Sequence, residues 1–198
     1  MTSSENKEQH IYAAVIMPPE EIVETIRIFK DGLAGVAGKY ASSQSDPVIT
    51  LFAAVGDDDR ISEIETKLET LCRNQLPFNV HLENFGEFNA HKTLFVDIQD
   101  TSKQAIATLR KKLSAELKSS KYEEEIDFNV GKTPHITIAR NLMDDQYRIA
   151  RNYFTGRTYS AFFECYKLTW RKLKRKGNAS FYVTDKEFTF AMKNLSLF

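Results

Sequence analysis

The feature that most constrains this chain is a repeat it carries against itself. Pro47-Val48-Ile49-Thr50-Leu51 recurs, 87 positions later, as Pro134-His135-Ile136-Thr137-Ile138. Some eight residues past each threonine stands an acidic pair, Asp58-Asp59 and then Asp144-Asp145, which predicts a helix N-terminus in both halves. A helix, a β-rich stretch, a turn and another strand follow, so each half reads strand–helix–strand–strand. Two such units related by a pseudo-two-fold axis put their equivalent strands on opposite sides of a shared groove. Two copies fall short of the three or so that a solenoid needs. The expectation is an α+β, bilobal fold with antiparallel-rich sheets around a central cleft.

The rest of the chain fits around that repeat. Residues 11–17 are an apolar, β-rich run stopped by Pro18-Pro19, and Pro19 suits the first turn of a helix with Ile22, Ile26, Phe29 and Leu33 on one face. After the strand at 48–55, Asp57-Asp58-Asp59 open a helix striped by Ile61, Ile64, Leu68 and Leu71. Phe78, Val80, Leu82 and Phe85 mark a strand that Gly86 breaks, and 93–98 is the next. A third helix carries Ile106, Leu109, Leu113 and Leu117, with Arg110, Lys111, Lys112 and Lys118 expected on a solvated outer face. Residues 121–127 are a charged connector, and 135–139 a strand. A fourth helix opens at Asp144-Asp145, and strands near 162–170 and 181–190 flank a hairpin turn at Lys176-Gly177-Asn178. One domain over 1–198 is expected: a polar tail at 1–9, a first strand and helix at 10–46, a lobe at 47–100 and a connecting helix at 101–127. A second lobe at 133–190 and an apolar tail at 191–198 complete it.

Composition removes several alternatives. Lys+Arg and Asp+Glu both number 27, so a strongly cationic nucleic-acid coat is excluded and a local basic patch is not. Cys72 and Cys165 stand far apart without CxxC, which suits buried thiols in a reducing cytosol better than a disulfide framework or a zinc site. No apolar run approaches the ~20 residues that cross a bilayer, and the polar start lacks a signal-peptide core. A cytoplasmic protein, expected as a monomer, follows. No HExxH, P-loop or GxGxxG occurs, so no metal or other cofactor is expected.

Alternate side chains share a face of a strand. His135 and Thr137 therefore point one way while Ile136 and Ile138 point into the apolar layer. Imidazole titrates near neutrality and moves a proton, a threonine hydroxyl donates to a phosphate oxygen, and Arg140 offers a permanently charged fork. Together they read as half of a phosphate site.

The element Pro134-His135-Ile136-Thr137-Ile138-Ala139-Arg140 resembles the C-terminal HxTx motif of the 2H phosphoesterase superfamily, which includes 2′-5′ RNA ligase-like proteins and cyclic phosphodiesterases. Phe85-Gly86-Glu87-Phe88 followed by Thr93-Leu94-Phe95-Val96 resembles the family's glycine/phenylalanine turn and strand. The likeness covers nearly the whole chain, from the 11–17 strand to the final hairpin. It implies a bilobal cleft and metal-independent chemistry on 2′,3′-cyclic phosphates or 2′-5′ phosphodiester bonds, with one histidine as base and another as acid. This chain departs from the pattern, because Val48 stands where the first histidine belongs while Thr50 is kept.

His91-Lys92-Thr93-Leu94 also fits HxTx, but only 44 residues before His135. It is either an exposed strand start, or His91 or Lys92 reaches the cleft and replaces the missing group, with Lys92 then binding substrate. His81 lies on the polar face of its strand, and His10 has no specific role. The run Arg171-Lys172-Lys174-Arg175-Lys176, near Trp170 and Tyr182, is either a single-stranded nucleic-acid track or a solvated hairpin tip. Two functions stay open. One is a phosphodiesterase acting on RNA 2′,3′-cyclic phosphates or 2′-5′ bonds through His135, Thr137, Thr50 and Arg140. The other is a non-catalytic module that captures RNA ends or small cyclic-phosphate nucleotides.

Overall fold

A computed structural model describes residues 7–118, 126–177 and 179–191. The described chain forms nine strands and four helices, an α+β fold. In chain order these are β1 (His10–Ile16), α1 (Glu20–Ala37), β2 (Ile49–Gly56), α2 (Asp58–Arg73), β3 (Phe78–Phe88), β4 (Thr93–Ile98) and α3 (Asp100–Lys118). Then follow β5 (Ile126–Asp127), β6 (Ile136–Ala139), α4 (Asp144–Phe154), β7 (Ser160–Cys165), β8 (Lys167–Lys176) and β9 (Ala179–Thr189). Of the connector expected at 121–127, the last two residues, Ile126 and Asp127, form β5 and the rest lies outside the described residues, as do the tip residue Asn178 and the end of the chain.

The strands make two antiparallel sheets, ordered β5-β2-β1-β8-β9 and β6-β4-β3-β7. The orders superimpose: β2 and β6, the two repeated strands, each neighbour the strand that precedes their helix, β1 and β4. The pseudo-symmetric units are thus β1-α1-β2-α2 and β4-α3-β6-α4. The strands within the lobes expected at 47–100 and 133–190 are divided between the sheets, β2 joining one and β3 and β4 the other, and β6 and β7 joining one and β8 and β9 the other. Likewise the single strand expected at 162–170 is two strands in different sheets. Phe163 and Cys165 are buried, then Leu168 and Trp170, so the alternation changes parity at Tyr166 and the chain crosses between sheets there.

The helices form where the apolar stripes foretold. Ile22, Ile26 and Leu33 are buried on α1, Ile61, Ile64 and Leu68 on α2, and Ile106, Leu109, Leu113 and Leu117 on α3. The Asp57 carboxylate accepts from the Arg60 backbone N–H at 2.9 Å, satisfying one orphan donor at the start of α2. Both thiols are buried, which pushes each up to about 12. No helix among the described residues is long and apolar enough to cross a membrane.

α1 links β1 to β2 but lies on β6 and α4, across from its own sheet, whereas α3 lies on α2 and on β3, a strand of the sheet that holds β4 and β6. The outer face of α3 is not uniformly solvated as expected. Arg110 donates to the carbonyls of Leu51 at 3.0 Å and Lys132 at 3.1 Å, and also to that of Phe128.

Candidate functional site

The repeated motifs lie on β6, at the edge of its sheet, and on the start of β2, which β5 covers only at Ala53 and Ala54. Ile49 and Ile136 are fully buried at the equivalent first positions of β2 and β6, which turns Thr50 and Thr137 to the opposite, half-buried face. Thr50 stands opposite Val15 of β1, and Thr137 opposite Phe95 of β4. Val48 and His135 come immediately before their strands.

Contacts at two places hold the two strands side by side. The segment entering β6 passes so close to β2 that a Cβ on Gly131 would lie 2.1 Å from the Thr50 carbonyl oxygen. With φ at +74° and no room for a side chain, only glycine fits. Arg110 binds the same two segments from α3. Beyond the end of β6, the Arg140 backbone N–H donates to the Ser42 hydroxyl at 3.0 Å, in the loop that leads into β2.

His135 sits in an aromatic corner. Its ring centroid is 5.1 Å from Phe88, edge to face, and 5.0 Å from Phe95. Gly86 makes the corner possible, since a Cβ there would meet the Phe95 ring at 2.4 Å. Nδ1 is 2.7 Å from the Thr133 carbonyl oxygen. A carbonyl only accepts, so Nδ1 carries the proton and Nε2 is left as the basic nitrogen. Burial lowers the imidazole below its ordinary value of 6.5, against the opposing pull of the Thr133 carbonyl and Asp97. Neutral at pH 7 and fixed in one tautomer, it is poised to accept a proton.

The structure does not bring His91 to this corner. His91 is exposed, and its carbonyl accepts from the Asn141 backbone at 3.2 Å, past the far end of β6. About six residues of extended chain, about 20 Å, separate that point from His135. Lys92 is ion-paired with Asp144 at 2.6 Å at the start of α4. The neighbouring position in sequence therefore does not restore what Val48 lacks. His81 stacks on Phe162 at 5.8 Å. His10, read as having no role, holds Asp58 at 3.0 Å beside the α2 N-terminus.

A group of cations lies near Arg140 that sequence reasoning missed. Lys30, 1% exposed, donates to the Ser42 and Ser45 carbonyls at 3.1 and 2.7 Å and to the Ser45 hydroxyl at 2.9 Å. Burial first, then Arg140 and Arg27, push its ammonium down to about 8 despite Asp46. Asp46 pairs with Arg27 at 3.2 Å and with Arg171 at 2.5 Å. Thus Arg171 turns inward from the basic hairpin, whereas Lys174, Arg175 and Lys176 stay exposed. Trp170 is wholly buried, stacked on Tyr12 at 4.9 Å, and is not the base-stacking ring that its place beside the basic run suggested. A signal for Lys30 existed: it falls on the α1 face of Ile22, Ile26 and Leu33, where a lysine needs acceptors. Among the described residues, no three His, Cys, Asp or Glu side chains gather to hold a metal ion.

A sequence model of the 2′-5′ RNA ligase superfamily matches residues 18–177. No curated protein matches the chain. Among solved structures, E. coli LigT complexed with 3′-AMP is similar at 13% identity and a TM-score of 0.70, covering 93% of this chain and 100% of LigT. A phosphoesterase is similar at 16% identity and 0.69, over 93% of this chain and 100% of its own. A Thermus thermophilus protein follows at 15% identity and 0.67, over 91% and 97%. At such identities the likeness is one of fold.

Proposed function

The chain belongs to the 2′-5′ RNA ligase superfamily, and on that footing we propose that it captures phosphorylated RNA ends or small cyclic-phosphate nucleotides and cleaves them far more slowly than a two-histidine site does. Thr50, Thr137 and Arg140 hold the phosphoryl oxygens, and His135 completes the pocket through Nε2. The observation that carries this reading is Val48 at the position equivalent to His135, with His91 beyond the far end of β6. Small phosphorylated ligands are the favoured class, since E. coli LigT has been crystallised with 3′-AMP, with phosphate and with ATP.

In-line attack on a cyclic phosphate needs one group to take the proton of the incoming water and another to give a proton to the departing ribose oxygen. Neutral His135 suits the first task. Valine serves neither, so the leaving oxygen must be protonated by solvent, which costs about 10²–10⁴ in rate. His135 is the single proton carrier of that slow turnover, in the tautomer that the Thr133 carbonyl fixes.

Calorimetric titration with adenosine 2′,3′-cyclic phosphate, together with product analysis, tests the proposal. Saturable binding weakened by Thr137→Val is expected, with turnover rising at least about a hundredfold in Val48→His. A wild-type rate equal to that of Val48→His, or activity untouched by His135→Ala, contradicts it.

A further inference from the structure

Three polar side-chain atoms on β8 are buried without a partner, Oγ1 of Thr169, Nε1 of Trp170 and Nε of Arg171. Thr169 and Arg171 alternate with Trp170 and so share the opposite face. These two residues are 1% and 6% exposed, and folded proteins leave few such groups unpaired. Thr169 lies opposite Val15 and Arg171 opposite Ala13, while Val15 lies opposite Thr50 on its other side. Thr169 and Arg171 therefore share the Thr50 face of the sheet. Two strand spacings, about 10 Å, separate Thr169 from Thr50. That suits two phosphoryl groups side by side better than one held by both.

Arg140 reaches this face from the other sheet. Both Arg140 and Arg171 act on the Tyr182 phenol, opposing its upward displacement by burial. The Arg171 guanidinium carbon is 5.9 Å from the Tyr182 ring centroid, and the same group donates to the Tyr182 carbonyl at 2.8 Å. Arg27, Lys30 and Arg171 gather around Asp46, whose carboxylate is already divided between Arg27 and Arg171, and Arg140 adds its charge at Lys30. No carboxylate among the described residues pairs with Arg140. Like charges drawn together from two sheets repel unless an anion lies between them.

We propose that Arg171, Thr169 and Tyr182, together with Arg140 shared from the first site, form a second anion subsite. It takes a second phosphate of the ligand whose first phosphoryl group lies at Thr50, Thr137 and His135. Arg171 supplies Nε–H and Thr169 its hydroxyl, the two donors on this face of β8 that the protein itself leaves unused. The proposal rests on the reading of the first phosphoryl site given above. The second phosphate is either a 5′-phosphate or the phosphodiester one nucleotide inward.

Calorimetry on the full chain with three probes decides it: adenosine 2′,3′-cyclic phosphate, its 5′-phosphorylated form, and the dinucleotide ApA ending in a 2′,3′-cyclic phosphate. At least one two-phosphate probe is expected to bind tenfold or more tightly than the single-phosphate probe, and which one gains identifies the source. Arg171→Gln is expected to erase the gain, so that the ligands bind alike. Thr169→Val, which keeps the volume and breaks no ion pair, is expected to lose about threefold of it. A wild-type chain without the gain, or a gain that survives Arg171→Gln, overturns the subsite and leaves the first site standing. Should Arg171→Gln fail to fold, a gain unchanged in Thr169→Val overturns the subsite equally. If the single-phosphate probe does not bind the wild-type chain, the first site fails and the second falls with it.

Discussion

At the scale of single residues, His135 carries a pH signature whose sign is fixed by its surroundings. Burial holds the folded imidazole below 6.5, so under that pH the unfolded chain takes up the proton first. The stability tied to neutral His135 is present above pH 6.5 and is lost as the pH falls below it. Wild-type thermal stability should drop more steeply between pH 6.5 and 5 than that of His135→Gln, and an NMR titration should place the His135 midpoint below 6.5. A midpoint at or above 6.5 would contradict the buried tautomer. His135, Thr137 and Thr50 were legible in the sequence because a repeated motif and strand alternation specify both identity and direction. The pairing of Arg171 with Asp46 was not, since the two lie 125 residues apart and the basic run that contains Arg171 gives no sign that this one side chain turns inward. His91 misled for the converse reason: its spacing imitates the motif, and only the antiparallel ladder of β4 and β6 shows that it lies at the wrong end.

At the scale of elements, the site depends on how closely the segment entering β6 approaches β2. Gly131 and Gly156 provide a comparison at the same φ of +74°. Alanine at either position pays for a positive φ, about 1–2 kcal/mol. Around Gly156 nothing lies within 4 Å, whereas at Gly131 the new methyl would meet the Thr50 carbonyl. Gly131→Ala should therefore lose clearly more stability in thermal denaturation than Gly156→Ala, and should also weaken binding of the cyclic nucleotide by moving Thr50. Equal losses would show that the contact is not tight. Helix positions and the buried stripes were readable from 3.6-residue periodicity, because each stripe is a local property. Sheet membership was not, because pairing is a property of the whole chain. The one local trace was the parity change around Tyr166, where an apparently continuous strand turns out to serve two sheets.

At the scale of the molecule, the crossing of α1 to the other sheet and the contact of α2 with α3 should make the two sheets unfold as one. α1 joins strands of the β2 sheet yet rests on β6 and α4, and β8 and β9 return from the end of the chain to complete the sheet that β1 begins. Neither sheet keeps its core when the other is lost. Trp170, the single tryptophan, reports on the β2 sheet from a fully buried position against Tyr12 and Phe52. Phe154 lies in the other half, on α4, 4.5 Å from the Phe85 ring and 6.3 Å from that of Phe29 on α1. Phe154→Ala should cost about 3–5 kcal/mol. In denaturant titrations the Trp170 fluorescence midpoint should move by the same amount as the far-UV circular dichroism midpoint, with a single transition throughout. If Trp170 held its original midpoint while the dichroism shifted, the halves would be independent. The adjoining β2 and β6 strands, and with them the distance between Thr50 and Thr137, would then no longer be fixed by the fold as a whole.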